Sequence, residues 1–449
     1  MSEKHVKPAT SLVGLVDLPP DKSIAHRTAL FSAMAEGKSR IVGFPTSADP
    51  QSTLSCLQAL GIHTSQDGDA LVVHGKGLDG FKEPRGVLDC GNSGTTMRLL
   101  SGMLAGQSFA STLTGDASLS VRPMARIIRP LIEMGASISG SQGESVGINH
   151  AGENQDDGSG GSGHFNRPPL IIRPPERTLS GISYRLPVAS AQVKSCVLLA
   201  GFWAEGDTSV IETEPSRDHT ERMLGLASFQ AGNERIISVT GRTKVTPRMW
   251  SIPGDFSAAA FFMVAASLLE GSLIRMSRVG LNPTRTGLLD VLRAMGANIQ
   301  LENEREVSGE PIADMIVKHA GLSGVRIEGD IIPNIIDEIP ILCIAATAAD
   351  GVTEIRGAGE LRHKESDRIK AMVTGLRAMG ANVEEYDDGL AIEGGVPLKG
   401  AYIETMHDHR IAMSFAIAAL AAEGPTRIAG ADIAAVSFPG FFNAIDALR

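Results

Sequence analysis

The chain has 449 residues, of which 43% are apolar and 20% charged, and its formal charge is −10. That length exceeds one ordinary core and predicts two domains. The acidic balance excludes a general nucleic-acid binder, which needs a broad basic face, but leaves room for a local anion pocket.

At the N-terminus, MSEKHVKPAT has no apolar stretch of the secretory type. Cys56, Cys90, Cys196 and Cys343 are far apart and show no metal-ligand spacing, so reduced thiols and a cytoplasmic location are expected. Next comes DKSIAHRTALFSAMA from Asp21, a short polar start followed by an Ala-rich apolar helix. The pattern returns at GNSGTTMRLLSGMLA (Gly91), ASAQVKSCVLLAGFWA (Ala189), GDFSAAAFFMVAASLL (Gly254), DEIPILCIAATAA (Asp337) and DHRIAMSFAIAALAA (Asp408). The mean step of about 77 residues is the size of a supersecondary unit with two helices and a few strands.

A second element falls between these starts. LQALGI (Leu57–Ile62), LIEMGASI (Leu131–Ile138) and LRAMGAN (Leu292–Asn298 and Leu376–Asn382) read as helix ends, with Gly at the C′ position and a strand beyond. SRDHTERML (Ser216–Leu224) begins a fifth helix of this set. Six α/β units predict two domains of three units each, and helices apolar nearly all round must be the inner ones. The longest apolar runs, such as Ala258–Leu269, are too short to cross a membrane. DDGSGGSG (Asp156–Gly163) reads as a flexible linker and is given no function.

Ser, Asp, Asn and Gly suit a helix N-terminus, where N–H groups lack partners and the dipole is positive. Any one start is explained by capping alone. Several buried starts aimed into one cleft attract anions, and four of the six carry a Lys or Arg within a turn or two.

Nine motifs then occur in order: PPDKSIAHR (Pro19–Arg27), DCGNSGTTMR (Asp89–Arg98), GDASLSVRPM (Gly115–Met124), YRLPVASAQVKS (Tyr184–Ser195), SRDHTERM (Ser216–Met223), NPTRTG (Asn282–Gly287), IDEIPIL (Ile336–Leu342), ELRHKESDRI (Glu360–Ile369) and DHRIAMSF (Asp408–Phe415). Over nearly the whole chain they resemble the enolpyruvyl transferases, and within them the branch that uses shikimate 3-phosphate. SAQVKS and SRDHTE resemble its bacterial class II subgroup. The resemblance implies an α/β fold of two similar domains. Each would contain three βαβαββ-type units, with inner helices pointing their N-termini toward an interdomain cleft. It also implies two crossings, near Leu18–Asp21 and Thr246–Ser251, so that residues 1–18 and 249–449 form one domain and 19–248 the other.

The implied reaction moves the enolpyruvyl group of phosphoenolpyruvate to the 5-hydroxyl of shikimate 3-phosphate by addition and elimination, releasing phosphate. It needs no metal or organic cofactor. A monomer without nucleic-acid or membrane partners is expected.

The resemblance also implies roles residue by residue. Lys22 contacts both substrates and takes part in proton transfer; a cation at a helix N-terminus is otherwise disfavoured. Ser23 and Arg27 hold the shikimate ring and carboxylate. Asn92, Ser93, Gly94 and Thr95 bring backbone N–H groups to phosphoenolpyruvate, with open space expected where Gly94 lacks a Cβ. Gly at 94 goes with sensitivity to the inhibitor glyphosate, although Leu99 stands where the family usually has Pro. Arg122, Arg368 and Arg410 grip phosphoenolpyruvate, since guanidinium bonds anions bidentately. Ser190, Ala191 and Gln192 contact shikimate 3-phosphate, Gln192 also reaching phosphoenolpyruvate, and Arg217 adds a substrate contact. Asp337 takes the proton of the attacking hydroxyl; the plainer reading of Asp337 is an N-cap. Glu365 protonates the methylene, while Lys364 binds substrate and lowers the Glu365 pKa against the effect of burial. AAVSFPGFF (Ala434–Phe442) lacks a lysine that many members use for phosphoenolpyruvate. The sister transferase for a UDP-linked amino sugar uses a loop cysteine, and no cysteine here lies in a matching loop. A non-catalytic phospholigand-binding repeat would need the arginines but not the Asp337–Glu365 pair.

Overall fold

One unit shows how the sequence becomes structure in the computed structural model, which describes residues 3–141 and 166–449. A short strand, Leu88–Asp89, leads into the inner helix Gly94–Leu104 and the strand Ser111–Thr114, which pairs parallel with it. The outer helix Ala125–Glu133 follows, then the antiparallel strands Ser137–Ser141 and Arg167–Arg173, the latter pairing back onto Ser111–Thr114. Gly135 ends the outer helix at φ +95°, as Gly61, Gly296 and Gly380 do at +84°, +101° and +86°, a conformation that side chains resist. The Gly/Ser run Asp156–Gly163 lies outside the described residues.

Five four-stranded sheets share this order of one parallel and two antiparallel pairings. Among the described residues, a further sheet has three strands, Tyr402–Glu404, Thr426–Ala429 and the N-terminal Glu3–Val6, and two small sheets have two strands each. The inner helices start at Lys22, Gly94, Ala191, Phe256, Ile339 and His409. The one from Phe256 is buried along all but its last residue. Burial of each large apolar side chain contributes about 1.5–3 kcal/mol, so the inner helices carry the cores. At the C-terminus, Phe438 and Phe441 pack on Phe262 with ring centroids 5.9 Å away in each case.

Buried apolar side chains form two clusters. One runs from Ile24 to Ile252, here the central lobe. The other joins Val6–Val16 to Phe256–Leu448, here the terminal lobe. The expected boundaries put both Val13–Val16 and Met249–Ser251 with the terminal lobe; the strand pairings follow the first and depart from the second. Val13–Val16 precedes the central helix Lys22–Met34 yet pairs with Leu273–Met276 of the terminal lobe. Met249–Ser251 precedes the terminal helix Phe256–Leu268 yet pairs with Arg40–Val42 of the central lobe. The two connecting segments run side by side: the Asp21 N–H donates to the Pro253 carbonyl and the Asp255 N–H to that of Pro19, each at 2.8 Å. A Cβ on Gly254 would lie 3.1 Å from the Leu18 side chain, tighter than ordinary contact, so the close approach favours glycine.

Candidate active site

On the central lobe the Gly94 helix is capped by Ser93, whose hydroxyl accepts from the Thr96 N–H at 3.1 Å. Asn92 is fixed by Asp116, to which its amide donates at 2.7 Å, and it accepts from Arg122 Nη2 at 2.9 Å. Gln192, from the start of the next inner helix, donates to Thr95 Oγ1 at 3.0 Å and accepts from Arg98 Nη1 at 2.5 Å. The open space expected beside Gly94 is filled: a Cβ there would lie 2.8 Å from Arg98 Nη1. Burial, then Arg122 and Arg126, brings the Arg98 guanidinium down to about 10. A half-buried cation beside two others is primed for an anion.

Arg27 is fully engaged behind this wall. Nε donates to Thr220 Oγ1 at 2.8 Å, Nη2 to Ser195 Oγ at 2.9 Å and Nη1 to the Ser23 carbonyl at 3.0 Å. Ser190 caps its helix, accepting from the Val193 N–H at 3.4 Å, and Ala191 opens that helix. Lys22 follows the N-cap Asp21 and pairs with Asp49 at 3.0 Å.

The terminal lobe holds both carboxylates. Asp337 is not the N-cap of its helix; that position is Glu338, which makes no side-chain cap. The Asp337 side chain instead pairs with Arg217 at 2.5 Å and Arg368 at 3.4 Å, and its carbonyl accepts from Arg410 at 2.7 Å. Burial pushes its carboxyl up, but Arg410, Arg217, Lys364 and Arg368 together hold it well below the usual carboxylate range. Arg368, only 1% exposed, donates to Glu365 at 2.6 Å and to Asp408 at 2.8 Å. Burial also opposes ionisation of Glu365, yet Arg368 and then His409 outweigh it and hold the carboxyl at about 2. The expectation that Lys364 lowers Glu365 is corrected. Lys364 pairs with Glu360 at 2.6 Å, and its field acts on Asp337 instead.

The lobes meet through these side chains. Arg217 is central and Asp337 terminal, and Lys22 helps keep the terminal His409 neutral by pushing it down, after burial and Arg410, to about 3. Arg122 lies on the central wall, Arg368 and Arg410 on the terminal wall. Arg98, His409 and Asp49 were missed as site residues. Arg98 and His409 stood inside quoted motifs, whereas Asp49 had no signal beyond an acid in the first turn of a helix. Facing cations around two ionised carboxylates suit substrates carrying several negative charges.

The family model described as EPSP synthase (3-phosphoshikimate 1-carboxyvinyltransferase) matches residues 6–155 and 160–445. The chain belongs to the EPSP synthase family. A 3-phosphoshikimate 1-carboxyvinyltransferase of Salinibacter ruber is 54% identical over 97% of this chain and 96% of that relative. One from a Geobacter species is 45% identical over 99% of both. The solved EPSP synthase of Acinetobacter baumannii superposes with a TM-score of 0.86 at 44% identity, over 99% of this chain and 98% of that one. The enolpyruvyl transferase NikO of Streptomyces tendae, 17% identical with a TM-score of 0.73 over 99% and 96%, shares the fold. Among the described residues of this EPSP synthase family member, no helix is long and apolar enough to cross a membrane.

Proposed function

We propose that the chain transfers the enolpyruvyl group of phosphoenolpyruvate to the 5-hydroxyl of shikimate 3-phosphate, with Asp337 as base and Glu365 as acid. The observation that carries the assignment is Arg368, which pairs with both carboxylates at once. At rest both are ionised. Phosphoenolpyruvate drawing Arg368 to itself weakens the hold on Glu365, and burial of its exposed side chain as the lobes close then favours the protonated form. In the addition step the hydroxyl oxygen bonds to the central carbon, its proton passes to Asp337, and Glu365 gives a proton to the methylene. In elimination the bond to phosphate breaks, phosphate leaves with the proton held by Asp337, and the new methyl group returns its proton to Glu365.

Lys22, Asn92, Gly94, Arg122, Gln192, Arg368 and Arg410 hold phosphoenolpyruvate in this reading. Lys22, Ser23, Arg27, Ser190, Ala191, Gln192, Arg217 and Lys364 hold shikimate 3-phosphate. The two lobes act as domains that close on the substrates, the central one spanning 19–252. The exchanged strand Met249–Ser251 supports moving the second boundary from 248 to 252. A cytoplasmic monomer completes the reading, with four free cysteines in support.

The test is phosphate release from phosphoenolpyruvate plus shikimate 3-phosphate, beside Glu365→Gln. Release by the wild type and a loss of at least about a hundredfold in the variant is expected for a general acid. Release only with a UDP-linked amino sugar would transfer the chain to the sister reaction. No release with either acceptor would leave a binding protein.

A further inference from the structure

Lys194 belongs to the inner helix that opens with Ser190, and it is one of the cations whose position suggested an anion site. The structure turns it away from the cleft. Its side chain is 0% exposed, and Nζ donates to Glu212 Oε2 at 3.0 Å and to the Ser216 carbonyl at 3.3 Å. Glu221 Oε1 lies 2.8 Å away as an ion pair, though neither Glu221 oxygen accepts an aligned hydrogen bond. The next cation, Arg235, is 3.8 Å from Glu221 and 3.7 Å from Glu212. Lys194 is therefore the main compensation for two carboxylates that are 1% and 2% exposed.

What it compensates is a single stretch of chain. Ser216 precedes Arg217, which reaches Asp337 across the lobes. Thr220 precedes Glu221, and its hydroxyl bonds Ser195 Oγ at 2.7 Å and accepts from Arg27 Nε. Ser195 in turn follows Lys194 and accepts from Arg27 Nη2. Both ends of the 216–221 stretch are thus tied to one buried ammonium, and each end holds an arginine, Arg217 at one and Arg27 at the other.

We infer that Lys194 is a positioning residue that sets Arg217 and Arg27 for shikimate 3-phosphate, rather than itself binding an anion. This rests on the site reading given above. It acts on one substrate, because of the groups around phosphoenolpyruvate only Gln192 shares the Lys194 helix, and its side chain is held instead by Arg98 and Thr95.

A lone Lys194→Met leaves two buried carboxylates unpaired and can fail to fold. The double variant Lys194→Met/Glu221→Gln neutralises one carboxylate and leaves the other, Glu212, to Arg235 at 3.7 Å, and is the variant to measure. Calorimetry should give a Kd for shikimate 3-phosphate raised about tenfold or more. The KM for phosphoenolpyruvate at saturating shikimate 3-phosphate should stay within about threefold of wild type. A folded double variant with both constants unchanged, or both raised equally, would overturn the proposal, since a purely stabilising lysine would not separate the substrates. Arg217→Gln measured alongside distinguishes the failures. Weakened binding there with an unchanged double variant rejects Lys194 alone. Unchanged binding in Arg217→Gln rejects the site reading, and this proposal with it.

Discussion

Gly94 concentrates the chemistry of one wall in a missing methyl group. Its Cβ would lie 2.8 Å from Arg98 Nη1 and 3.6 Å from Arg122 Nη1. The nearer contact is the end of a flexible side chain, so Gly94→Ala should fold. Arg98 would have to withdraw, however, and it is bonded to Gln192 at 2.5 Å. The variant is therefore expected to raise the KM for phosphoenolpyruvate about tenfold with little change in that for shikimate 3-phosphate. Steady-state kinetics with each substrate varied in turn checks this, and an unchanged phosphoenolpyruvate KM would remove the anion from beside Gly94. The sequence could mark Gly94 as a position where backbone must come close. It could not reveal that Arg98, four residues on, folds back over the same spot, because that depends on Gln192 from another helix.

Among the elements, the inner helix His409–Leu420 depends on one acid for two tasks. Asp408 caps it, accepting from the Arg410 N–H at 2.9 Å, and its carboxylate neutralises the buried Arg368. Asp408→Ala should cost about 2–4 kcal/mol, because it removes the cap and one of the three carboxylates that hold the buried Arg368. Asp408→Asn keeps a good cap and should cost less. Asp116→Ala removes the cap of the short helix Ala117–Ser120 and an exposed bond from Asn92, and should cost about 1–2 kcal/mol. Urea denaturation ranks the three, and equal losses would deny Asp408 its second task. Caps and C′ glycines of this kind were legible in the sequence, since each is decided within a few residues of backbone. The place of Met249–Ser251 was not, because its pairing with Arg40–Val42 across more than two hundred residues leaves no local mark, and that of Val13–Val16 came only from the family resemblance. Asp337 misled for the opposite reason: it stands where a cap belongs, and Glu338 takes that position instead.

Over the whole molecule, acid should act through histidines spread across both lobes. His26 is buried in the central lobe, His409 in the terminal lobe, and His219 where they meet, 2.7 Å from Glu310. Burial above all pushes each down to about 3. The unfolded chain takes up these protons near pH 6.5 while the folded chain refuses them, so stability is full above that pH and falls as pH drops toward 3. Glu310 works the other way. Burial raises it to about 7, so the folded state holds its proton longer than the unfolded one. Asp21, raised by burial and Asp255, acts in the same sense. Three histidines against these acids leave a net uptake of roughly one to two protons on unfolding, or about 1.4–3 kcal/mol lost per pH unit below 6. Glu365, held at about 2, adds its own loss only below roughly pH 4.5, so the window from pH 6 to 5 reads the histidines. His26 is the cleanest probe, because its ring bonds Thr53 Oγ1 at 2.7 Å and no acid. His26→Gln should lower the slope of stability against pH by about 1.4 kcal/mol per unit in that window. Urea midpoints at half-unit steps measure it. An identical slope in variant and wild type would mean that His26 is already protonated in the fold, and that burial does not govern its charge.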